Sequence, residues 1–126
     1  MASTHRERAA ASERAVVTKA VLRAAKRLGL SNKALGAIIG VSEATVSRMG
    51  SASYTLSPRE KPFDLATLFI RLFRALDAIT DGDEAVASAW LRSENTALGA
   101  TPLALVQSVS GLVYVLGYLD ARRALA

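Results

Sequence analysis

The chain has 126 residues and no cysteine, which excludes disulfides and thiolate metal sites. About half of it is apolar (51%), only three residues are proline, and the formal net charge is +5, a balance that fits one compact unit, or two small interlocked ones, with a real core. No apolar run approaches the ~20 residues of a membrane helix, so no membrane partner is expected.

The opening stretch MASTHRERAAASERA lacks the apolar core of a secretory signal, and its Glu7 and Glu13 do not suit an organelle transit peptide. A cytoplasmic protein is the expectation. His5, the only histidine, lies in this terminal stretch, so no metal site and no cofactor are assigned. Charge is unevenly divided. Residues 1–62 carry eleven Lys/Arg against four acids, net +7, whereas residues 63–126 carry five against seven, net −2. A basic half beside a mildly acidic one points to nucleic acid for the first and a protein partner for the second. The alternative is that surface cations only maintain solubility.

The first predicted helix runs from about Glu7 to Leu28, burying Val17, Val21, Ala24, Ala25 and Leu28. Lys19, Arg23, Lys26 and Arg27 recur on another face and either lie along phosphates or form a solvated surface. Gly29 ends this helix and Ser31 caps the next.

Ser31 to Met49, SNKALGAIIGVSEATVSRM, reads as two short helices joined by a tight turn. Leu35, Ile38 and Ile39 form an apolar i, i+3, i+4 face, Gly40-Val41 makes the turn, and Ser42 caps the second helix. Gly36 is small enough for that helix to pack closely. This is helix-turn-helix spacing, in which the second helix enters the DNA major groove. With Val41, Thr45 and Val46 inward, Glu43, Ala44, Ser47 and Arg48 face outward. Arg48 suits a guanine edge or a phosphate, Ala44 a thymine methyl, and Ser47 either donor or acceptor. Glu43 either accepts from a cytosine amino group or stabilises the helix N-terminus through the dipole. Ser42 and Lys33 complete the candidate DNA-binding set.

Gly50 to Pro62 is a polar connector in which Ser57-Pro58-Arg59-Glu60 has the form of a capping box. Its Tyr54 either reaches a phosphate or packs over the junction. Phe63 to Thr80 is a helix whose stripe is Leu65, Leu68, Phe69, Leu72, Phe73, Leu76 and Ile79. Phe63 and Ile70 lie off that stripe, so the helix needs two partners. Phe63, Ile70 and Phe73 are therefore assigned to a homodimer interface, with cover by a flanking helix of the same chain as the alternative. Asp81-Gly82-Asp83-Glu84 starts a helix to about Arg92 that buries Val86, Ala89 and Trp90. A loop with one apolar tooth, Leu98, leads to the start signal Thr101-Pro102. The final segment, with a break near Ser108–Ser110, buries Leu105, Val109, Leu112, Leu116 and Leu119. A second stripe of Gly111, Val115, Tyr118 and Arg122, with Tyr114 beside it, has the composition of a protein-binding face. Val115 alternatively closes the core. The fold expected is all-α, divided into a helix-turn-helix region at 1–62 and a second helical domain at 63–126.

The second half resembles the toxin-binding region of the antitoxins of RES–Xre toxin–antitoxin modules. The match is carried by Trp90-Leu91, the Asn95…Leu98-Gly99 loop, Thr101-Pro102-Leu103, Gly111 and Tyr118-Leu119-Asp120-Ala121-Arg122-Arg123. With the helix-turn-helix ahead of it, the likeness covers nearly the whole chain from about Val16. Ala100 stands where the family pattern has a second glycine. The resemblance implies a helical homodimer that covers the active-site cleft of a cognate RES-domain toxin, an enzyme that consumes NAD. It also implies repression of the module's own promoter through operator DNA. Carried over, it makes Tyr114, Val115, Tyr118, Asp120, Arg122 and Arg123 the toxin-binding candidates, with the two arginines suited to carboxylates in a catalytic cleft.

An enzyme is not expected, because no nucleophile elbow, phosphate-cradling loop or acid/base pair is present in the sequence. Two competing readings stand beside the antitoxin. One is a stand-alone Xre-like repressor whose C-terminal domain senses a small molecule or oligomerises. The other keeps toxin binding but loses DNA binding, since Gly50 directly after Met49 makes a short recognition helix.

Overall fold

The computed structural model describes residues 4–125, which form seven α-helices and no strand. The helices are α1 (His5–Arg27), α2 (Asn32–Ile39), α3 (Glu43–Gly50), α4 (Lys61–Ile79), α5 (Glu84–Arg92), α6 (Pro102–Leu105) and α7 (Val109–Leu125). No helix among them is long and apolar enough to cross a membrane.

Helix α1 begins two residues before the predicted Glu7 because Thr4 and Glu7 form a reciprocal cap. The Glu7 N–H donates to Thr4 Oγ1 at 3.2 Å, and the Thr4 N–H donates to Glu7 Oε2 at 3.0 Å. Val21, Ala24, Ala25 and Leu28 are buried as expected. Thr18 joins them, and its Oγ1 accepts from the Leu56 N–H at 3.0 Å, strapping the connector onto α1 with Leu56 only 1% exposed. The capping box foreseen at Ser57–Glu60 is instead a turn closed by the backbone, Glu60 N–H to Ser57 carbonyl at 3.0 Å, and α4 starts directly after it.

Helix α4 is the axis of the molecule. It packs against α1 and α2 on one side and α7 on another, with α5 at its C-terminal end. Phe69, Leu72 and Ala75 are fully buried beneath these neighbours. The same packing takes Phe63 and Ile70 out of the expected homodimer interface. Phe63 and Ile70 are 7% and 9% exposed within a single chain, so almost none of their surface remains for a second copy. Phe73 is half-buried, with the Arg27 guanidinium 5.0 Å from its ring centroid. Flanking helices of the same chain supply the second partner that the two-sided helix required.

Helix α5 is rotated from its predicted register. Ala87 and Leu91 point inward, whereas Val86 is 51% exposed, Ala89 is exposed and Trp90 is half-buried. Ties to the end of α1 hold that rotation. Arg92 donates to the Leu28 carbonyl at 3.0 Å and to the Gly29 carbonyl at 2.9 Å, and Arg27 Nε donates to Glu84 Oε1 at 2.8 Å.

The loop after α5 folds back on itself through Asn95, which bonds Leu98, Gly99 and Ala100 and seats Leu98 in the core. Thr101 Oγ1 accepts from the Ala104 N–H at 3.3 Å, so the predicted start signal is used. The chain breaks after Leu105, and α7 follows with Leu112, Leu116 and Leu119 buried. Val109 departs from expectation: it is 57% exposed, because it sits at the first residue of α7 and outside the core stripe.

Candidate functional site

Two surfaces at different places on the fold carry the chemistry. The first is the α2–α3 pair. Gly40 ends α2 at φ 79°, a conformation in which an L side chain is strained, and a Cβ at Gly36 would lie 2.6 Å from the Val41 carbonyl oxygen. These two glycines let α3 cross α2 at close range, with Val46 and Met49 buried beneath it. Ser42 caps α3 by accepting from the Thr45 N–H at 3.0 Å.

The outward residues are where the spacing placed them. Lys33, Ser42, Glu43, Ala44, Ser47 and Arg48 are all exposed. Glu43 stands in the first turn of α3, where a carboxylate favours the helix dipole. Thr45, expected to face inward, is half-buried and joins the outer surface. Its Oγ1 accepts from Ser42 Oγ at 2.9 Å and from Arg48 Nη2 at 3.0 Å. The Arg48 guanidinium also stands 5.8 Å from the Tyr54 ring centroid, so Tyr54 packs over the junction and beneath the arginine. Sequence reasoning missed this hydroxyl relay, although Ser42, Thr45 and Arg48 follow one another at intervals of three.

Nearby on α1, Lys19, Arg23 and Lys26 are exposed. Arg27 leaves the predicted cationic stripe. It pairs with Glu84 at 2.8 Å and with Asp77 at 3.3 Å, and the Glu84 hydrogen bond raises its pKa against a smaller lowering by burial. It joins α1 to α4 and α5 while staying about a third exposed (35%).

The second surface is a groove between the end of α4, α5 and α7, with a volume near 210 Å³. Leu76 and Ile79 form its floor, Val86 and Trp90 one wall, and Tyr118 and Arg122 the other. The Trp90 and Tyr118 rings stack with centroids 6.4 Å apart and planes 15° from parallel. Arg122 Nη1 donates to the Tyr118 hydroxyl at 2.9 Å, with its guanidinium 5.7 Å from that ring centroid. The groove is thus apolar, aromatic and cationic at one lip.

Of the predicted partner-binding set, Tyr118 and Arg122 meet in this groove, and Arg123 is exposed on the next position of α7. Asp120 is exposed and pairs with Arg71 at 3.6 Å. Tyr114, 50% exposed, lies against the preceding loop with its hydroxyl 3.4 Å from the Ala97 carbonyl. Val115 is a correction. It is 0% exposed and closes the core, since it falls on the same side of α7 as Leu112 and Leu119. Val86 and Trp90 were missed as surface residues because their size suggested the core.

Comparison with known families finds two matches that meet at residues 75–77, inside α4. Residues 7–77 match the antitoxin Xre-like helix-turn-helix domain, and residues 75–124 match the antitoxin Xre/MbcA/ParS C-terminal toxin-binding domain. No curated protein is similar enough to count as a match. The helix-turn-helix match spans more than half of the sequence and the toxin-binding match follows it almost to the end of the chain, so this protein belongs to the Xre-type antitoxins.

Proposed function

We propose that the chain is the antitoxin of a type II toxin–antitoxin module whose toxin is a NAD-consuming RES-domain enzyme. In this reading a cytoplasmic homodimer occludes the toxin's active site with the end of α7 and represses its own operon through α3. The chain acts by binding and is not itself an enzyme. The observation that carries the reading is the Trp90–Tyr118–Arg122 groove at the end of α7, beyond which Arg123 lies on an exposed helix end. Stacked aromatics beside an arginine are the residue types that anchor protein interfaces. A groove near 210 Å³ is smaller than the roughly 300–1,000 Å³ of small-molecule sites, which disfavours the sensing repressor at this end of the molecule.

The test is co-expression with the neighbouring open reading frame. The expected result is a neighbour that depletes NAD and arrests growth alone, and that co-purifies in silent form with this chain. A harmless neighbour, or one that stays toxic and separate, would overturn the assignment.

The DNA-binding arm is tested separately. Arg48→Ala is expected to weaken operator binding by roughly 10–100-fold, from the ~1–3 kcal/mol of a good bidentate base contact. Toxin inhibition should be unchanged, because Arg48 and the α7 groove share no lining residue. Fluorescence anisotropy on promoter DNA measures this, and wild-type affinity in the variant would remove Arg48 from the recognition surface.

A further inference from the structure

Arg48 is held from three directions by its own chain. Its Nη2 donates to Thr45 Oγ1 at 3.0 Å, and its guanidinium stands over the Tyr54 ring. The turn after α3 closes on its backbone. The Ser53 N–H donates to the Arg48 carbonyl at 2.9 Å, and the Ser51 and Ser53 hydroxyls donate to the same oxygen at 3.2 and 3.3 Å. That closure brings Tyr54, the next residue, back beside the arginine.

Thr45 is fixed in turn. Its hydroxyl oxygen accepts from Ser42 Oγ at 2.9 Å and from Arg48, which fills both lone pairs that a hydroxyl has. Only its O–H hydrogen is left, and among the described residues it finds no acceptor. Arg48 has used one of the five N–H donors of a guanidinium, and no carboxylate pairs with it among the described residues. Together the two side chains offer a ligand donors only.

We infer that Thr45 and Tyr54 are positioning residues for Arg48, and that the Thr45–Arg48 pair confines α3 to a guanine edge. The inference rests on the DNA-binding role proposed above and deepens it. Among the major-groove edges, guanine alone presents two acceptors, N7 and O6, with no donor or methyl beside them. Arg48 can bond both through the donors that Thr45 leaves free. Adenine and cytosine each present an amino group, from which the Thr45 hydroxyl cannot accept. An unconstrained threonine takes a donor or an acceptor alike, so the restriction is imposed by Ser42 and Arg48. Specificity then comes as much from what the pair refuses as from what it binds. Holding the arginine beforehand also favours binding, because a side chain already fixed has less rotamer freedom to lose on a base.

The experiment selects bound sequences from a randomised DNA pool with the full chain, wild type and variants. Affinity is then measured for the selected site and for that site with its guanine replaced by adenine, and thermal melts are followed in parallel. The wild type is expected to select a fixed guanine and to prefer it by at least about tenfold. Thr45→Val, which keeps the shape and removes the hydroxyl, should reduce that preference to below about threefold. Thr45→Ser restores the hydroxyl and should keep the wild-type preference. Tyr54→Leu should lower affinity by about threefold with guanine still selected, since the ring steadies the arginine without touching the edge. Because Tyr54 lies outside α3, this second variant decides the positioning role even if Thr45→Val melts early.

An unchanged guanine preference in Thr45→Val overturns the inference, as does an unchanged affinity in Tyr54→Leu. If Thr45→Val weakens all sequences alike, the arginine lies on a phosphate, and the inference is again overturned. A wild-type chain that selects a site without guanine overturns this inference alone. One that selects no sequence overturns the DNA-binding reading itself.

Discussion

Gly111→Ala is expected to lower the thermal midpoint of the chain by on the order of 10 °C, following from a destabilisation of about 3 kcal/mol. The cause is space and not backbone angle. A Cβ at Gly111 would lie 1.8 Å from the Leu105 carbonyl oxygen, 2.7 Å from its carbon and 2.9 Å from Ser108 Oγ. Two of these atoms are backbone at the corner between α6 and α7, where the Gly111 N–H is itself held by Ser108 Oγ at 3.1 Å. Neither helix can retreat easily, since Val106 and Leu112 on either side of the corner are 0% exposed. Gly117→Ala, six residues further on, is the control. Its Cβ would meet nothing within 4 Å, so exchanging a mid-helix glycine for alanine should stabilise by up to about 1 kcal/mol. Thermal melts followed by circular dichroism give both values. A Gly111→Ala midpoint within about 2 °C of wild type would mean that the corner is softer than its packing indicates.

The second large effect concerns inhibition. Replacing Arg122 and Arg123 together by alanine is expected to weaken toxin inhibition by roughly 100-fold, with operator binding unchanged. Interface arginines at the centre of a contact cost about 2 kcal/mol or more when truncated, and a pair at the mouth of a catalytic cleft falls in that class. The change should leave the fold intact, because residues 120–125 are all exposed and Leu119 is the last buried side chain among the described residues. A chain cut after Gly117 is the poorer test, since it also removes Leu119 from the core. Residual activity of the co-expressed toxin, titrated with the variant, gives the measurement. Inhibition within threefold of wild type would move the blocking contact away from the end of α7.

The local geometry of this fold was legible wherever one residue type was obligatory. Gly36, Gly40 and Ser42 identified the helix pair and its outward face, and Thr101-Pro102 marked the last start signal. Periodicity gave the core of α4 but not what covers it, because Phe63 and Ile70, off the stripe, called for a second partner and were assigned to a copy where the chain's own helices cover them. Helix α5 was misread for a related reason. With only nine residues, its rotation is held by Arg92 on two carbonyls of the α1 corner and by Glu84 on Arg27, partners 57 to 64 positions away. Such ties leave no mark on local patterning. One wall of the α4–α5–α7 groove, Val86 and Trp90, was therefore hidden, whereas Tyr118 and Arg122 on the opposite wall were found. Thr18 holding the Leu56 N–H was invisible on the same account.

That α4 is covered by α1 and α2 on one flank and by α7 on another bears on how the two proposed roles can be taken apart. A fragment beginning at Phe63 would bare to water the side chains that the first two helices now cover, and one ending before it would leave Leu28, Leu35 and Ile39 without their wall. Neither piece keeps enough interior to remain folded as it is in the whole. The protein should melt in one all-or-none step, with calorimetric and van't Hoff enthalpies equal. The proposed DNA-binding and toxin-binding roles can then be separated only by changing surface side chains, never by dividing the chain.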